Sequence, residues 1–84
     1  LMDAVGILPG ERVQVVDCNN GNRLDTYVIA GEPDSGVICL NGPAARLVQP
    51  DDIVIIMSYA LMDYDEARTF QPKIIFPDSD TNRL

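Results

Sequence analysis

Two runs rich in β-branched and apolar residues, Arg12 to Asp17 and Arg23 to Ala30, flank the tetrapeptide Asn19-Asn20-Gly21-Asn22, and this spacing predicts a β-hairpin. Val13, Val15 and Val16 mark the first run as a strand, and the Asn-Gly pair favours the positive φ angles that a tight hairpin connection demands. A chain that must accommodate this hairpin early is committed to antiparallel pairing, and its remaining apolar segments read as further strands.

After a polar turn at Gly31-Glu32-Pro33-Asp34-Ser35-Gly36 comes a short buried strand, Val37-Ile38-Cys39-Leu40. Asn41-Gly42-Pro43-Ala44-Ala45-Arg46 reads as a turn entering one helical turn, since Pro43 suits the first helical position. Ile53 to Ala60 is apolar on both faces for most of its length, which predicts a strand at the centre of the core. Asp63 to Thr69 predicts a short helix with Asp63 as N-cap and Glu66 closing a capping box. A last strand spans Lys73 to Phe76 between two prolines, and the tail from Asp78 to Leu84 is polar and expected to fray. The opening Leu1 to Gly6 resembles the final turn of a helix, with Gly6 in the left-handed cap. No capping residue precedes it, so residues upstream of Leu1 are expected to have been removed. Five short strands and two or three helical turns, without a repeat or a linker, predict one mainly β domain over residues 1–84, a barrel or sandwich.

Charge and cysteine usage narrow the function. With 6 basic and 13 acidic residues the net charge is -7, so the surface repels phosphate backbones and anionic membranes, and neither nucleic acid nor membrane is an expected partner. The longest apolar run, Ile53 to Met57, is far short of the roughly 20 residues of a spanning helix, and a cytoplasmic protein is expected. There is no histidine and no Cys-x-x-Cys pair, so the usual zinc ligands are missing and no metal is expected. Cys18 and Cys39 read as two buried free thiols.

Three stretches, in order and at consistent spacing, carry more specific information: Asn20-Gly21-Asn22-Arg23-Leu24-Asp25-Thr26-Tyr27, Ser35-Gly36-Val37-Ile38-Cys39-Leu40-Asn41-Gly42, and Asp52-Ile53-Val54-Ile55-Ile56. With Leu1 to Leu8 before them and Glu66-Ala67-Arg68-Thr69-Phe70-Gln71-Pro72 after, they resemble the aspartate alpha-decarboxylase family over nearly the whole chain. The resemblance implies a six-stranded double-psi β-barrel with short helical turns, assembled as a homotetramer with active sites between subunits. It further implies self-cleavage at a Gly-Ser bond, whose serine becomes a covalent pyruvoyl group on the larger chain. That group forms a Schiff base with L-aspartate, which is decarboxylated to beta-alanine for pantothenate and coenzyme A synthesis. In that frame this chain corresponds to the larger chain, an incomplete barrel without its pyruvoyl-bearing N-terminus and without the small beta chain, its expected partner.

Position by position, the resemblance assigns Arg23 to the clamp on a substrate carboxylate, a task suited to a planar guanidinium. Tyr27 becomes the general acid that returns a proton after decarboxylation. Thr26 is implicated in self-processing and lies near the cofactor, Asn41 would orient the bond that is cleaved, and the backbone N–H groups of Gly42 and Ala44 would approach substrate oxygens. Ile55 would line the pocket or pack in the core. In a regular strand Arg23 and Tyr27 share a face about 13 Å apart while Thr26 faces the opposite way, so a bend or second subunit is expected for the first pair and a bulge for Thr26. The chain departs from the family pattern in three ways. It contains no Gly-Ser dipeptide, Pro43 stands where an alanine is usual, and Asp25 shares a face with Arg23 and is expected to pair with it. The rival expectation is a noncatalytic β-barrel interaction module built on the same scaffold.

Overall fold

A computed structural model describes all residues, 1–84. The predicted hairpin is its organising element. Strand β1, Arg12–Asp17, pairs antiparallel with β2, Arg23–Tyr27, in a continuous register from Arg12 opposite Tyr27 to Val16 opposite Arg23. The backbone pairing reaches one step beyond β2, where the Val28 N–H donates to the Glu11 carbonyl and Val28 accepts from Gly10. Ile29 and Ala30 then leave the sheet, so the second strand is shorter than expected.

Within the connection Asp17 does as much as the Asn-Gly pair. Its Oδ1 accepts the N–H groups of Asn19 and Asn20 at 2.7 and 3.2 Å, while its backbone bonds Asn22 and Gly21. This is an Asx-type turn, in which a short side chain imitates the backbone of a tighter turn.

Strand β3, Val54–Met57, adds to the other edge of β1, giving the order β2-β1-β3 with Val16 opposite Ile55 and Gln14 opposite Met57. The centre of the sheet is therefore β1. The run Ile53 to Ala60, expected at the centre of the core, supplies an edge strand, with Ile55 about half exposed. Its two apolar faces do call for cover on both sides, but no layer of this chain lies over it.

Val37–Leu40 and Lys73–Phe76, expected as strands, join no ladder, and the outer edges of β2 and β3 stay unpaired. The fully buried set is Val13, Val15 and Asp17, one row on a single face of β1. A domain of this length that closed on itself would bury about 60% of its unfolded surface, and three buried residues fall well short of that. Both cysteines are free and exposed, contrary to the buried thiols expected.

Three helical turns complete the chain. In α1, Met2–Val5, Gly6 takes the left-handed cap at φ 74° as expected. Gly42–Arg46 forms a 3-10 turn with Pro43 in its first turn, also as expected. Helix α2, Tyr64–Thr69, begins at Asp63, but no side-chain cap bond forms, so the expected capping box stays open. Asp65 and Glu66 still favour that N-terminus electrostatically. No helix is long and apolar enough to cross a membrane.

The hairpin tip is fastened to the loop before β3. Asn20 and Asn22 both donate side-chain N–H groups to the Leu47 carbonyl at 2.9 Å, Asn19 Oδ1 accepts the Ile53 N–H at 2.8 Å, and Cys18 donates to the Ile53 carbonyl. Under this seam lies a pair of acids. Asp17 is 1% exposed, and its Oδ2 has no partner in regular hydrogen-bond geometry; the nearby Asp52 carboxyl acts on its ionisation. Burial works against ionising Asp17, yet the bonds from Asp52, Asn19 and Asn20 outweigh it and hold its carboxyl below the usual carboxylate value. Asp52 is pushed above that value, first by its bond to Asp17, with burial and the charges of Asp17 and Asp51 adding against the opposing Gln49 N–H. Asp52 therefore keeps its proton to higher pH than Asp17 does.

The two acids act on stability with opposite signs. The contribution of Asp17, whose folded pKa is depressed, is lost as pH falls through that pKa. The contribution of Asp52, whose folded pKa is raised, is complete at low pH and lost as pH rises through it. The seam is therefore tightest in mildly acidic solution and loosens as pH climbs past the raised pKa of Asp52. Asp52→Asn, whose amide donates at every pH, is expected to remove that alkaline-side decline. Melting curves of the full-length protein and the variant across this range check it, and parallel curves would refute the role of Asp52 in that decline.

Candidate active site

Four of the six candidate residues named from the sequence gather at the open end of β2 and beside the 3-10 turn. Thr26 and Tyr27 border a cleft of about 110 Å³ together with Asn41 and Ala44, and Ile29 and Leu40 form its apolar walls. Thr26 and Tyr27 do point to opposite faces, as alternation demands. No bulge reconciles them, since the register runs unbroken through both. They meet the same cleft because β2 ends at Tyr27 and the chain beyond turns away, so the strand end is open on both sides.

Asn41 is extended, at φ -108° and ψ 158°, and its Oδ1 accepts a weak bond from the Cys39 thiol at 3.3 Å. That contact leaves the amide NH2 of Asn41 uncommitted. Gly42 follows at φ 62° with open space around the position a Cβ would take. It is the left-handed backbone and not crowding that calls for glycine there. Gly42 does not itself line the cleft, although both of its flanking site residues, Asn41 and Ala44, do. Pro43 fits the first turn of the 3-10 segment, so its departure from the family pattern leaves the local backbone intact.

Arg23 stands apart from this cleft, at the other end of β2. It shares the open face of the sheet with Tyr27, Asp25, Arg12, Gln14, Val16 and Ile55, as the pairings require. Within one chain the residues expected as clamp and acid, Arg23 and Tyr27, therefore do not face one pocket. Nor does Asp25 pair with Arg23, as expected from their shared face. Asp25 Oδ2 instead accepts from Arg12 Nη2 at 2.8 Å and its Oδ1 from Gln14 Nε2 at 3.3 Å. The reason is register: Asp25 lies directly opposite Gln14, beside Arg12, whereas Arg23 lies opposite Val16. The bond from Arg12 above all, aided by its charge and by Gln14 against some desolvation, holds Asp25 below the usual carboxylate value.

Arg23 Nη1 donates to Gln14 Oε1 at 2.6 Å, and the Tyr59 hydroxyl donates to the same oxygen at 3.3 Å. Arg23 forms no salt bridge, so its charge stays available. Gln14, Tyr59 and Arg12 were not among the residues singled out from the sequence. The signal for Gln14 was present in its parity on β1: a hairpin closed at residues 18–22 places it diagonally across from Arg23.

Comparison with known proteins fits this arrangement. Residues 1–84 match the aspartate decarboxylase family as a whole. The chain is 65% identical over its full length to the aspartate 1-decarboxylase of Bacteroides thetaiotaomicron and 56% identical to that of Parabacteroides distasonis, spanning 72% of each relative. It is 62% identical over 80 residues to the aspartate 1-decarboxylase of Clostridium beijerinckii, covering 95% of this chain and 64% of that relative. A match of this extent shows that the chain belongs to the aspartate decarboxylase family.

Proposed function

We propose that the full-length protein decarboxylates L-aspartate to beta-alanine and carbon dioxide, using a covalent pyruvoyl group, in the cytoplasm and in the service of pantothenate and coenzyme A synthesis. The observation that carries this reading is the convergence of Thr26, Tyr27, Asn41 and Ala44 on one small cleft. Its hydroxyls and amide, set against walls of Ile29, Leu40 and Ala44, suit a short neutral carbonyl group, and about 110 Å³ accommodates one. When bound, that group would supply the electron sink for loss of the α-carboxylate.

The remaining work falls to the chain's own residues. Asn41 and the backbone beyond Gly42 hold and orient the reacting end, Tyr27 Oη carries the proton delivered to the substrate α-carbon, and Arg23 holds a carboxylate away from the reacting centre. Because Arg23 and the cleft lie at opposite ends of β2, the reading needs a neighbouring subunit to bring a second copy of one against the other, in keeping with a homotetramer. The free edges of β2 and β3 and the unpaired Val37–Leu40 and Lys73–Phe76 leave room for the small chain and for further strands that would close a double-psi barrel.

The test is an assay of the full-length protein on L-aspartate, preceded by mass spectrometry of its chains. Self-cleavage with release of beta-alanine and carbon dioxide is the expected result. An intact and inactive chain would instead favour a noncatalytic barrel.

A further inference from the structure

We propose that Gln14 is a positioning residue for substrate binding, holding the Arg23 guanidinium at a fixed angle through a neutral oxygen so that its charge remains free for a carboxylate. This rests on the reading of Arg23 as the clamp. Three observations support it. Gln14 Oε1 accepts from Arg23 Nη1 at 2.6 Å, the shortest contact Arg23 makes to another side chain. The same oxygen accepts from the Tyr59 hydroxyl, while Gln14 Nε2 is held by Asp25 Oδ1, so the amide is fixed at both ends and cannot turn its nitrogen toward Arg23. Asp25, the acid that shares the strand face of Arg23, is taken up by Arg12.

The choice of an amide has a chemical logic. A long arginine on an exposed strand loses rotamer freedom when it grips a ligand, and a partner that orients it beforehand reduces that loss. A carboxylate would orient it too, but would compete with the substrate for the same donors. An amide oxygen orients it and leaves the second face of the guanidinium fork open. Gln14 lines a polar hollow on the sheet with Arg12, Val13, Asp25 and Tyr59, and Arg23 stands outside it. The side-chain bonds constitute a relay in which Arg12 occupies Asp25, Asp25 orients Gln14, and Gln14 orients Arg23.

The test uses the full-length enzyme and follows KM for L-aspartate separately from kcat. Gln14→Met, which keeps the length of the side chain and removes the acceptor, is expected to raise KM about threefold with kcat within about twofold. Gln14→Glu, which presents a competing carboxylate, is expected to raise KM about tenfold with the same small change in kcat. A KM within about twofold of the parent in both variants, or a fall in kcat as large as the rise in KM, would overturn the proposal. Arg23→Ala separates this role from the reading beneath it. If that variant raises KM while both Gln14 variants do not, the positioning role alone fails; if it leaves KM unchanged, the clamp fails and this role with it.

Discussion

Tyr27→Phe is expected to lower kcat for L-aspartate decarboxylation by roughly 10²- to 10³-fold, with KM changed by no more than about twofold. The substitution removes one hydroxyl and keeps the ring, so the apolar contribution of Tyr27 to the cleft wall survives. Binding is then nearly untouched, and only the step that needs the phenolic proton slows. The structure makes this separation meaningful. Tyr27 is the last residue of β2 and is 64% exposed, so neither the sheet nor the buried row of β1 depends on its hydroxyl. No hydrogen bond within the chain occupies that hydroxyl either, which leaves it free for a reacting group. The measurement is steady-state beta-alanine formation by chains first shown to be cleaved, since a chain that fails to mature would mimic a catalytic loss. A variant that matures and keeps kcat within about threefold would place the proton source elsewhere.

The elements legible in the sequence are those governed by local chemistry. Gly21 turns the hairpin at φ 77°, Gly6 caps α1, and Pro43 starts a 3-10 turn because each acts through its own φ angle or its own missing N–H, whereas Asn20, expected at positive φ beside Gly21, does not adopt it. Elements that depend on distant partners were not legible. Ile53 to Ala60 is apolar on both faces, which marks a strand that needs cover, but its place in the sheet is set by which neighbours are present. Val37–Leu40 and Lys73–Phe76 have the composition of strands but pair with neither outer edge of the sheet, and a strand without a partner gains nothing for the ordering it costs. The capping box failed for a smaller reason: Asp63 starts α2 with its side chain making no bond to the helix, so the pattern was right about position and wrong about contact.

The site divides along the same line. Motif positions placed Thr26, Tyr27, Asn41 and Ala44 together, and the cleft they form follows from where β2 stops. Strand parity alone misassigned the partner of Asp25, because sharing a face is a weaker constraint than lying directly opposite, and register gave Asp25 to Gln14 and Arg12. Gln14 carried no motif at all. Its role became visible only when the register set it diagonal to Arg23, and a residue of this kind is found by pairing strands and not by matching patterns.

Arg23→Ala is expected to raise KM for L-aspartate about 100-fold while kcat falls far less, because charge-assisted bonds to a carboxylate contribute about 1.5 to 3 kcal/mol each and a planar guanidinium can make two. The electrostatic setting strengthens the expectation. At a net charge of -7 the chain repels a dicarboxylate substrate as a whole, so a local cation must reverse the field where binding occurs. Of the two cations on the open face of the sheet, Arg12 is paired with Asp25, whereas Arg23 touches only the neutral Gln14 oxygen. Arg23→Lys keeps the charge and loses the fork, so it should recover part of the affinity and not all of it. If instead Lys restored KM fully, a point charge would suffice and the fixed angle supplied by Gln14 would have no function; if Ala left KM unchanged, the carboxylate would have to be held by another group, and the open face of the sheet would lose its place in the active site.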